Sequence, residues 1–253
     1  MKKFLVALRK ECLELWRTYR LLVVGIVLVV FGLLSPLMAK YTPEIIKMIP
    51  EGETIALLIP APTMTDAVAQ YVKNIAQFGL ILGLLLTMGV VAQEKDKGTA
   101  AMMLVKPLPR VSFLAAKFSA LAMLFALAIT LAALACYYYT FLLFGALDVP
   151  RWLALNALLL VYVLVYIAAT LFFSVATRSA AAAGGLAFGL MLILEVLGAL
   201  PGIGKYMPAQ MLGWGIGLLN GSAAAYWPAL GICFAIIVIF LAGAWRIFER
   251  QEL

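Results

Sequence analysis

Long apolar segments alternate with short polar ones along this chain. Six of them are close to or above the roughly 20 residues that a helix needs to cross a hydrocarbon core about 30 Å thick. The alternating pattern of a membrane β-barrel is absent, and an unpaired backbone is too costly in lipid, so each segment is predicted to be a transmembrane helix. The segments cover residues 21–39, 74–92, 112–143, 152–174, 179–199 and 227–247.

Composition supports lipid as the solvent for most of the chain. Hydrophobic residues make up 66% of the 253 residues, and only 12% are charged. A soluble domain of this size could not bury so much apolar surface. The sequence therefore predicts an all-α integral membrane protein, in which residues 1–20 form an amphipathic helix and residues 21–253 form a single six-helix transmembrane domain.

The N-terminal segment has helical amphipathic spacing, with its cations mostly opposite its apolar residues. Such a helix lies in the headgroup plane with its cations near anionic lipid. Two interpretations stay open: a membrane anchor that helps set topology, or an elbow helix that also flanks a cytoplasmic partner. The next apolar run exceeds the roughly 7–15 residues of a signal-peptide core, which favours an uncleaved first helix. The apolar positions are Phe4, Leu5, Leu8, Cys12, Leu15 and Trp16.

The Lys and Arg residues predict the orientation. With six spans, both termini and the 93–117 loop lie on one side, and most of the 19 Lys and Arg residues lie there too. Cations stay cytoplasmic, so both termini and this loop are predicted to face the cytoplasm in a multi-pass plasma-membrane protein. The net charge of +7 then reflects topology and anionic lipid contact, not nucleic-acid binding. The cations on the opposite side are Lys40, Lys47, Lys73, Arg151 and Lys205.

Residues for enzymatic chemistry are scarce. The chain has no histidine, which removes histidine-based triads and metal sites. Cys12, Cys136 and Cys233 lack ligand spacing. The stretch GALPGIGKY lacks the glycine spacing and the Ser or Thr of a phosphate-binding loop. We therefore expect no catalytic residue, no metal and no bound cofactor in this chain.

A few residues inside the spans stand out. Glu195 is an acid within an apolar run; it is costly in lipid and is a candidate for a transport pathway or an interface, although it could also reach water near the end of its helix. Gly79 with Gly83, and Gly185 with Gly189, are small residues four apart, which permit close helix contact within a subunit or between subunits.

Two polar segments are predicted on the external side. Residues 40–73 contain Pro43 and three further prolines, so this segment is predicted to hold short, proline-interrupted helices. Residues 200–226 are rich in glycine, and Met207–Leu219 is too short to cross but apolar enough to form a re-entrant or interfacial piece.

The loop at residues 93–117 is more charged than a simple chain reversal requires. Gly98 and Thr99 fit the start of a short helix that runs to about Val105 and is stopped by Pro107 and Pro109. Its methionines could make adaptable apolar contacts with a partner. An amphipathic interfacial turn without a partner is the alternative.

The residues of this loop resemble a pattern found in a known protein family. Glu94, Gly98-Thr99, Pro109-Arg110 and Lys117 resemble the pattern of the first cytoplasmic loop in type-2 (export-type) ABC transporter permeases. Ahead of the first span, the elbow-helix residues Lys10, Glu11, Arg17 and Arg20 are similar to the N-terminal pattern of that family. The resemblance covers essentially the whole chain.

The resemblance implies a permease subunit that pairs with a second copy, as a homodimer or a heterodimer, and binds two separate ABC ATPase subunits, which would hold ATP and Mg. The loop would be the coupling helix, with Glu94 orienting its base. An ATP-independent scaffold or channel-like protein is the alternative. The uniform apolar spans do not identify a substrate, although they favour an amphipathic or hydrophobic one. The candidate ATPase-coupling residues are Glu94, Lys97, Gly98, Thr99, Met102, Met103, Lys106, Pro109 and Arg110.

Overall fold

The computed structural model describes residues 2–50, 60–96, 98, 109–222 and 224–251. Within these ranges the chain is helical and contains no strand, which confirms the predicted all-α fold. The helices are α1 (Lys2–Arg17), α2 (Arg20–Lys47), α3 (Met64–Thr87), α4 (Ala92–Asp96), α5 (Arg110–Phe144), α6 (Val149–Ala176), α7 (Ala180–Ala199), a 3₁₀ turn (Gly204–Tyr206), α8 (Gln210–Leu219) and α9 (Trp227–Arg250).

Among the described residues, six helices are long and apolar enough to cross a membrane: α2, α3, α5, α6, α7 and α9. This confirms the six predicted spans. The end of the bundle where α1, α4 and the last residues of α9 meet is called here the terminal face.

Helix α6 forms the centre of the bundle. In its most apolar stretch 72% of the residues are buried, and α3, α5, α7, α8 and α9 all pack against it. Helix α7 is the least covered span, with 17% of the corresponding stretch buried. Its apolar surface is therefore left for lipid or another chain.

Helices α2 and α5 approach each other at a glycine. A methyl group added at Gly32 would lie 2.6 Å from the carbonyl oxygen of Ala132 on α5. No real carbon atom fits at that distance, so the contact requires glycine. Gly79 and Gly83 of α3 similarly lie against Val163 and Ile167 of α6, which places the first predicted glycine pair at a contact within this chain.

We expect Gly32→Ala to destabilise the protein by about 1–3 kcal/mol, because the two helices must move apart to admit a methyl group. Gly25 lies in the same helix, and a methyl group there meets nothing within 4 Å. Gly25→Ala is the matched control and is expected to leave stability unchanged or slightly higher. Thermal unfolding in detergent compares the two, and equal midpoints would contradict a requirement for glycine at this contact.

The segment 40–73 was predicted as short interrupted helices, and this interpretation is wrong at both of its ends. Helix α2 continues through Pro43 to Lys47. Helix α3 begins ten residues before the predicted span, at Met64, because Thr63 and Asp66 form a reciprocal capping box. The connection between the two helices is therefore much shorter than residues 40–73.

The apolar piece within residues 200–226 is the helix α8, which packs on the half of α6 remote from the terminal face. Met211 and Trp214 are buried, and Gly215 lies close enough to Leu155 that a methyl group there would be 3.0 Å from its Cγ. One face of this segment is thus covered by protein.

Candidate functional site: the base of the 93–117 loop

The 93–117 loop starts in the short helix α4. The Ser174 hydroxyl oxygen of α6 accepts hydrogen bonds from the backbone N–H groups of Val91 and Ala92, both at 3.1 Å. The first N–H groups of a helix have no partner inside the helix, so Ser174 satisfies two of them and fixes where α4 starts.

Gly98 follows α4 with a φ of +67°, and its backbone N–H donates to the Lys95 carbonyl oxygen at 3.1 Å. This left-handed conformation favours glycine and is typical of the end of a helix. Gly98 was predicted to begin a helix, whereas the structure places it at the turn that ends α4. The rest of that predicted helix lies outside the described residues.

Five charged residues meet beside α4. The Lys117 Nζ atom, on α5, lies 2.8 Å from Glu94 Oε1 on α4 and 3.3 Å from Glu11 Oε2 on α1. Lys10 Nζ lies 3.0 Å from Glu11 Oε1 and 2.9 Å from Glu14 Oε2, and 3.8 Å from Glu94 Oε1. We call these five residues the Lys117 cluster. It joins the N-terminal helix, the loop base and the helix that leaves the loop.

The part of this cluster around Lys117 is buried, so its charges must be balanced by neighbouring side chains. The Lys117 side chain is 2% exposed, and its ammonium also lies 4.9 Å from the centre of the Phe113 ring. Carboxylate oxygens of Glu11, Glu14 and Glu94 lie within 4.8 Å of one another. Three acids this close would repel each other strongly, and the two lysine ammoniums supply the positive charge that holds them together.

The charges of the cluster shift the pKa values of its two more exposed members, Glu14 and Lys10. Burial alone would raise the pKa of Glu14, but the hydrogen bond and charge of Lys10, together with Lys117 and Arg20, lower that pKa below its ordinary value. For Lys10, burial would lower the pKa, and the hydrogen bonds to Glu14 and Glu11 raise it instead. Both shifts favour the ionised pair at neutral pH.

We expect the Lys10–Glu14 pair to make the stability of the protein depend on pH in the acidic range. A carboxyl group whose pKa is lowered in the folded state stabilises the protein at pH values above its unfolded-state pKa, which is 4.5 for glutamate. That stabilisation disappears as the pH falls through the folded-state pKa. The unfolding midpoint should therefore drop between about pH 5 and about pH 3. Because the pair is more than one-third exposed, the Glu14 part should be a few degrees at most.

Glu14→Gln isolates the contribution of Glu14, because it removes the titrating carboxyl group and keeps the shape of the side chain. The difference in unfolding midpoint between Glu14→Gln and the unchanged protein should shrink as pH falls through this window. A difference that stays constant from pH 7 to pH 3 would contradict the assigned pair.

The opposite side of the loop base is tied to the end of the last span. Lys95 Nζ and Gln251 Nε2 both donate to the Val175 carbonyl oxygen at the end of α6. Arg110 Nη1 donates to the carbonyl oxygens of Phe248, Glu249 and Gln251. The last carbonyl groups of α9 lack partners inside their own helix, so Arg110 satisfies them and carries the charge that a helix C-terminus favours.

A separate apolar cluster lies beneath these bonds. Val91, Phe113, Val175, Phe248 and neighbouring side chains form a small core distinct from the main one. The Phe113 and Phe248 rings stack with their centres 5.5 Å apart. The loop base is therefore held by packing as well as by charge, in contact with α1, α5, α6 and α9.

The structure brings together part of the predicted site. Lys10, Glu11 and Glu94 lie in the Lys117 cluster, and Arg110 caps α9. Pro109 precedes the first residue of α5, Arg17 is exposed at the end of α1, and Arg20 begins α2 beside Glu14. The remaining predicted coupling residues lie outside the described ranges: Lys97, Thr99, Met102, Met103 and Lys106.

Helix α1 differs from its predicted amphipathic arrangement. Leu8 and Cys12 pack against the core and Leu15 is buried, whereas Leu5 and Trp16 are 57% and 69% exposed. Glu11 occupies the inward face beside Leu8 and Leu15, because its carboxylate meets Lys117 there. One side of α1 therefore lies on protein, and the other presents mixed apolar and basic residues.

Sequence reasoning missed the pairing of Glu11 with Lys117 and the roles of Ser174, Lys95 and Gln251. One signal was present: Lys117 is a cation seven residues inside a long apolar helix. Such a residue requires a buried partner, by the same argument that identified Glu195. Ser174 and Gln251 have no comparable signal in the sequence.

Glu195 lies apart from the loop base. Its Oε1 atom accepts hydrogen bonds from the hydroxyl groups of Tyr162, at 2.8 Å, and Tyr166, at 3.1 Å. Both tyrosines belong to the middle of α6, the buried central helix. The carboxylate therefore lies against the middle of α6, although Glu195 itself is four residues before the end of α7.

These features define a multi-pass helical membrane protein whose 93–117 loop is anchored to the N-terminal helix and the last span. The sequence profile described as "ABC-2 family transporter protein" matches residues 5–215, and the chain belongs to this family. It is therefore a membrane component of an ABC transporter, a permease subunit that associates with an ABC ATPase. The recognition made from the loop motif is confirmed.

A relative described as a transmembrane protein aligns with the whole chain. The chain is 27% identical over 259 aligned residues to "Uncharacterized transmembrane protein YxlG" of Bacillus subtilis (strain 168). The alignment covers 100% of this chain and 99% of the relative. The two proteins are therefore similar along their whole length.

Proposed function

We propose that this chain is the transmembrane subunit of an ATP-driven ABC exporter. Two copies of the permease form the pathway, and two ATPase subunits, which bind ATP and Mg, attach through the 93–117 loop. Both termini and the loop face the cytoplasm of a cell whose plasma membrane holds the complex. The permease hydrolyses nothing itself.

The observation that carries this proposal is the anchoring of the loop base. A loop that transmits force must move with the helices it drives and cannot bend freely at its ends. Glu94, near the start of the loop, and Lys117, at its end, share a largely buried ion pair, and Arg110 connects the start of α5 to the end of α9. A displacement of the loop would thus reach α1, α5 and α9 together.

The charge distribution supports the orientation. The terminal face carries the Lys117 cluster and most of the Lys and Arg residues that the structure describes, as the cytoplasmic side of a membrane protein does. Helix α1 has exposed Arg9, Leu13, Trp16 and Arg17 on its outward side. That mixture suits the boundary between anionic headgroups and acyl chains, so lipid is the proposed partner of this side.

Co-purification tests the proposal. The tagged chain is purified from native membranes in mild detergent, and an ABC ATPase is identified by mass spectrometry of its phosphate-binding-loop peptide and by ATP hydrolysis. We expect about one ATPase per permease and a mass that corresponds to two of each. Met102→Ser with Met103→Ser should lose the ATPase, because we propose these side chains as its contact.

Met48→Ser is the matched control, because Met48 is 85% exposed at the other end of the bundle. It should keep the ATPase. If the unchanged chain purifies without any ATPase and conducts ions in a bilayer by itself, the ATP-independent channel-like alternative is correct and the exporter proposal is wrong.

A further inference from the structure

Glu195 has a built environment inside the membrane. The two tyrosine hydroxyl groups that donate to its Oε1 atom belong to side chains that are 3% and 7% exposed. Buried hydroxyl groups that converge on one carboxylate oxygen stabilise its ionised form and fix its position. They are neutral, however, so they supply no charge to balance it.

No Lys or Arg of the described part of the chain forms an ion pair with Glu195; the ion pairs there belong to the Lys117 cluster. A carboxylate without a counter-charge is costly inside a membrane-spanning segment. A cation outside the described residues would balance this charge.

The surface around Glu195 is apolar and open. Glu195 itself is only partly buried, and Phe188 and Leu192 on the same side of α7 are 49% and 48% exposed. Helix α7 is also the span least covered by the rest of the chain. A ligand here would meet the apolar side chains of Phe188 and Leu192 beside the Glu195 carboxylate.

We propose that Glu195 is the recognition site for an amphipathic cation, a molecule with one positive charge on an apolar body. The inference rests on the proposed exporter function and names the substrate class that the function would take. The positive group would lie against the Glu195 carboxylate, and the apolar body would lie along Phe188 and Leu192. Tyr162 and Tyr166 are positioning residues that hold the carboxylate in place.

Binding of tetraphenylphosphonium to the purified chain, with its ATPase, in lipid nanodiscs tests the inference directly. Equilibrium dialysis measures binding, empty nanodiscs correct for partition into lipid, and tetraphenylborate serves as a size-matched ion of opposite charge. We expect saturable binding of the cation, at least tenfold weaker binding in Glu195→Gln, and no saturable binding of the anion. Glu195→Asp keeps the charge and should keep part of the affinity.

Glu44→Gln is the control, because Glu44 is an exposed acid near the end of α2, and it should bind the cation as the unchanged protein does. Glutamine at position 195 can still accept the tyrosine hydrogen bonds, so its fold should persist, and an unchanged elution volume would show this.

Two binding results would overturn the inference: equal cation binding in Glu195→Gln and in the unchanged protein, or binding of the anion as tight as that of the cation. Dissociation of the permease dimer in Glu195→Gln would also overturn it, because the carboxylate would then belong to the contact between subunits. Failure of the exporter proposal looks different. In that case cation binding still depends on Glu195, but no ATPase accompanies the chain and ATP drives no movement of the cation.

Discussion

Lys117→Met should destabilise the protein more than any other single removal of charge in the Lys117 cluster. The substitution keeps an unbranched side chain of similar length but removes the ammonium that lies between Glu11 and Glu94. Two largely buried carboxylates then face each other without that counter-charge. Breaking a buried ion pair in this way costs about 3–5 kcal/mol, and the unfolding midpoint should fall by on the order of 10 °C.

A double variant separates charge from packing. If the cost comes from stranded carboxylates, adding Glu94→Gln to Lys117→Met should recover part of the lost stability, whereas independent effects would add. Lys47→Met, at the exposed end of α2, controls for loss of a lysine and should shift the midpoint little. A midpoint for Lys117→Met equal to that of Lys47→Met would show that the buried cluster does not stabilise the fold.

The six spans were predictable because their signal is local. Burying a long apolar run in lipid requires only length and composition, so α5 at Arg110–Phe144 and α7 at Ala180–Ala199 closely match segments chosen from hydrophobicity alone. The same locality explains the recognition of the loop motif. Residues 94 to 117 lie within one short stretch of sequence, so the spacing of the motif can be read directly from it.

The errors arose where a local rule met a competing local interaction. Pro43 suggested an interruption, yet α2 runs through it to Lys47, as it also runs through Pro36. A Pro in a membrane helix is tolerated where neighbouring groups restore the backbone bonding. The early start of α3 at Thr63 and Asp66 depends on a capping box that hydropathy alone does not detect.

The site was only partly predictable because its bonds join distant residues. Glu11 and Lys117 are far apart in the chain, and several acids near the terminal face could have served Lys117 equally well on charge alone. The choice depends on how α1 lies against α5, with Leu8 and Leu15 facing inward. That docking depends on three-dimensional packing, which a single sequence does not specify.

Gly98→Pro should separate the ATPase cycle from the permease. Gly98 needs a φ of +67° and donates its N–H to Lys95, whereas proline has a φ near −65° and no N–H. A methyl group at Gly98 would meet nothing within 4 Å, which means that the spans should keep their packing.

The measurement is the part of ATP hydrolysis that depends on the permease, compared with the isolated ATPase, in proteoliposomes. We expect it to fall at least tenfold in Gly98→Pro, while the unfolding midpoint changes little. Gly221→Pro is the matched control, because Gly221 also has a positive φ, +74°, and open space around it, but it lies at the opposite end of the bundle. Because both variants force the same backbone change, a loss confined to position 98 would locate coupling at the loop base; full hydrolysis in Gly98→Pro, or an equal loss in Gly221→Pro, would remove the loop from the mechanism.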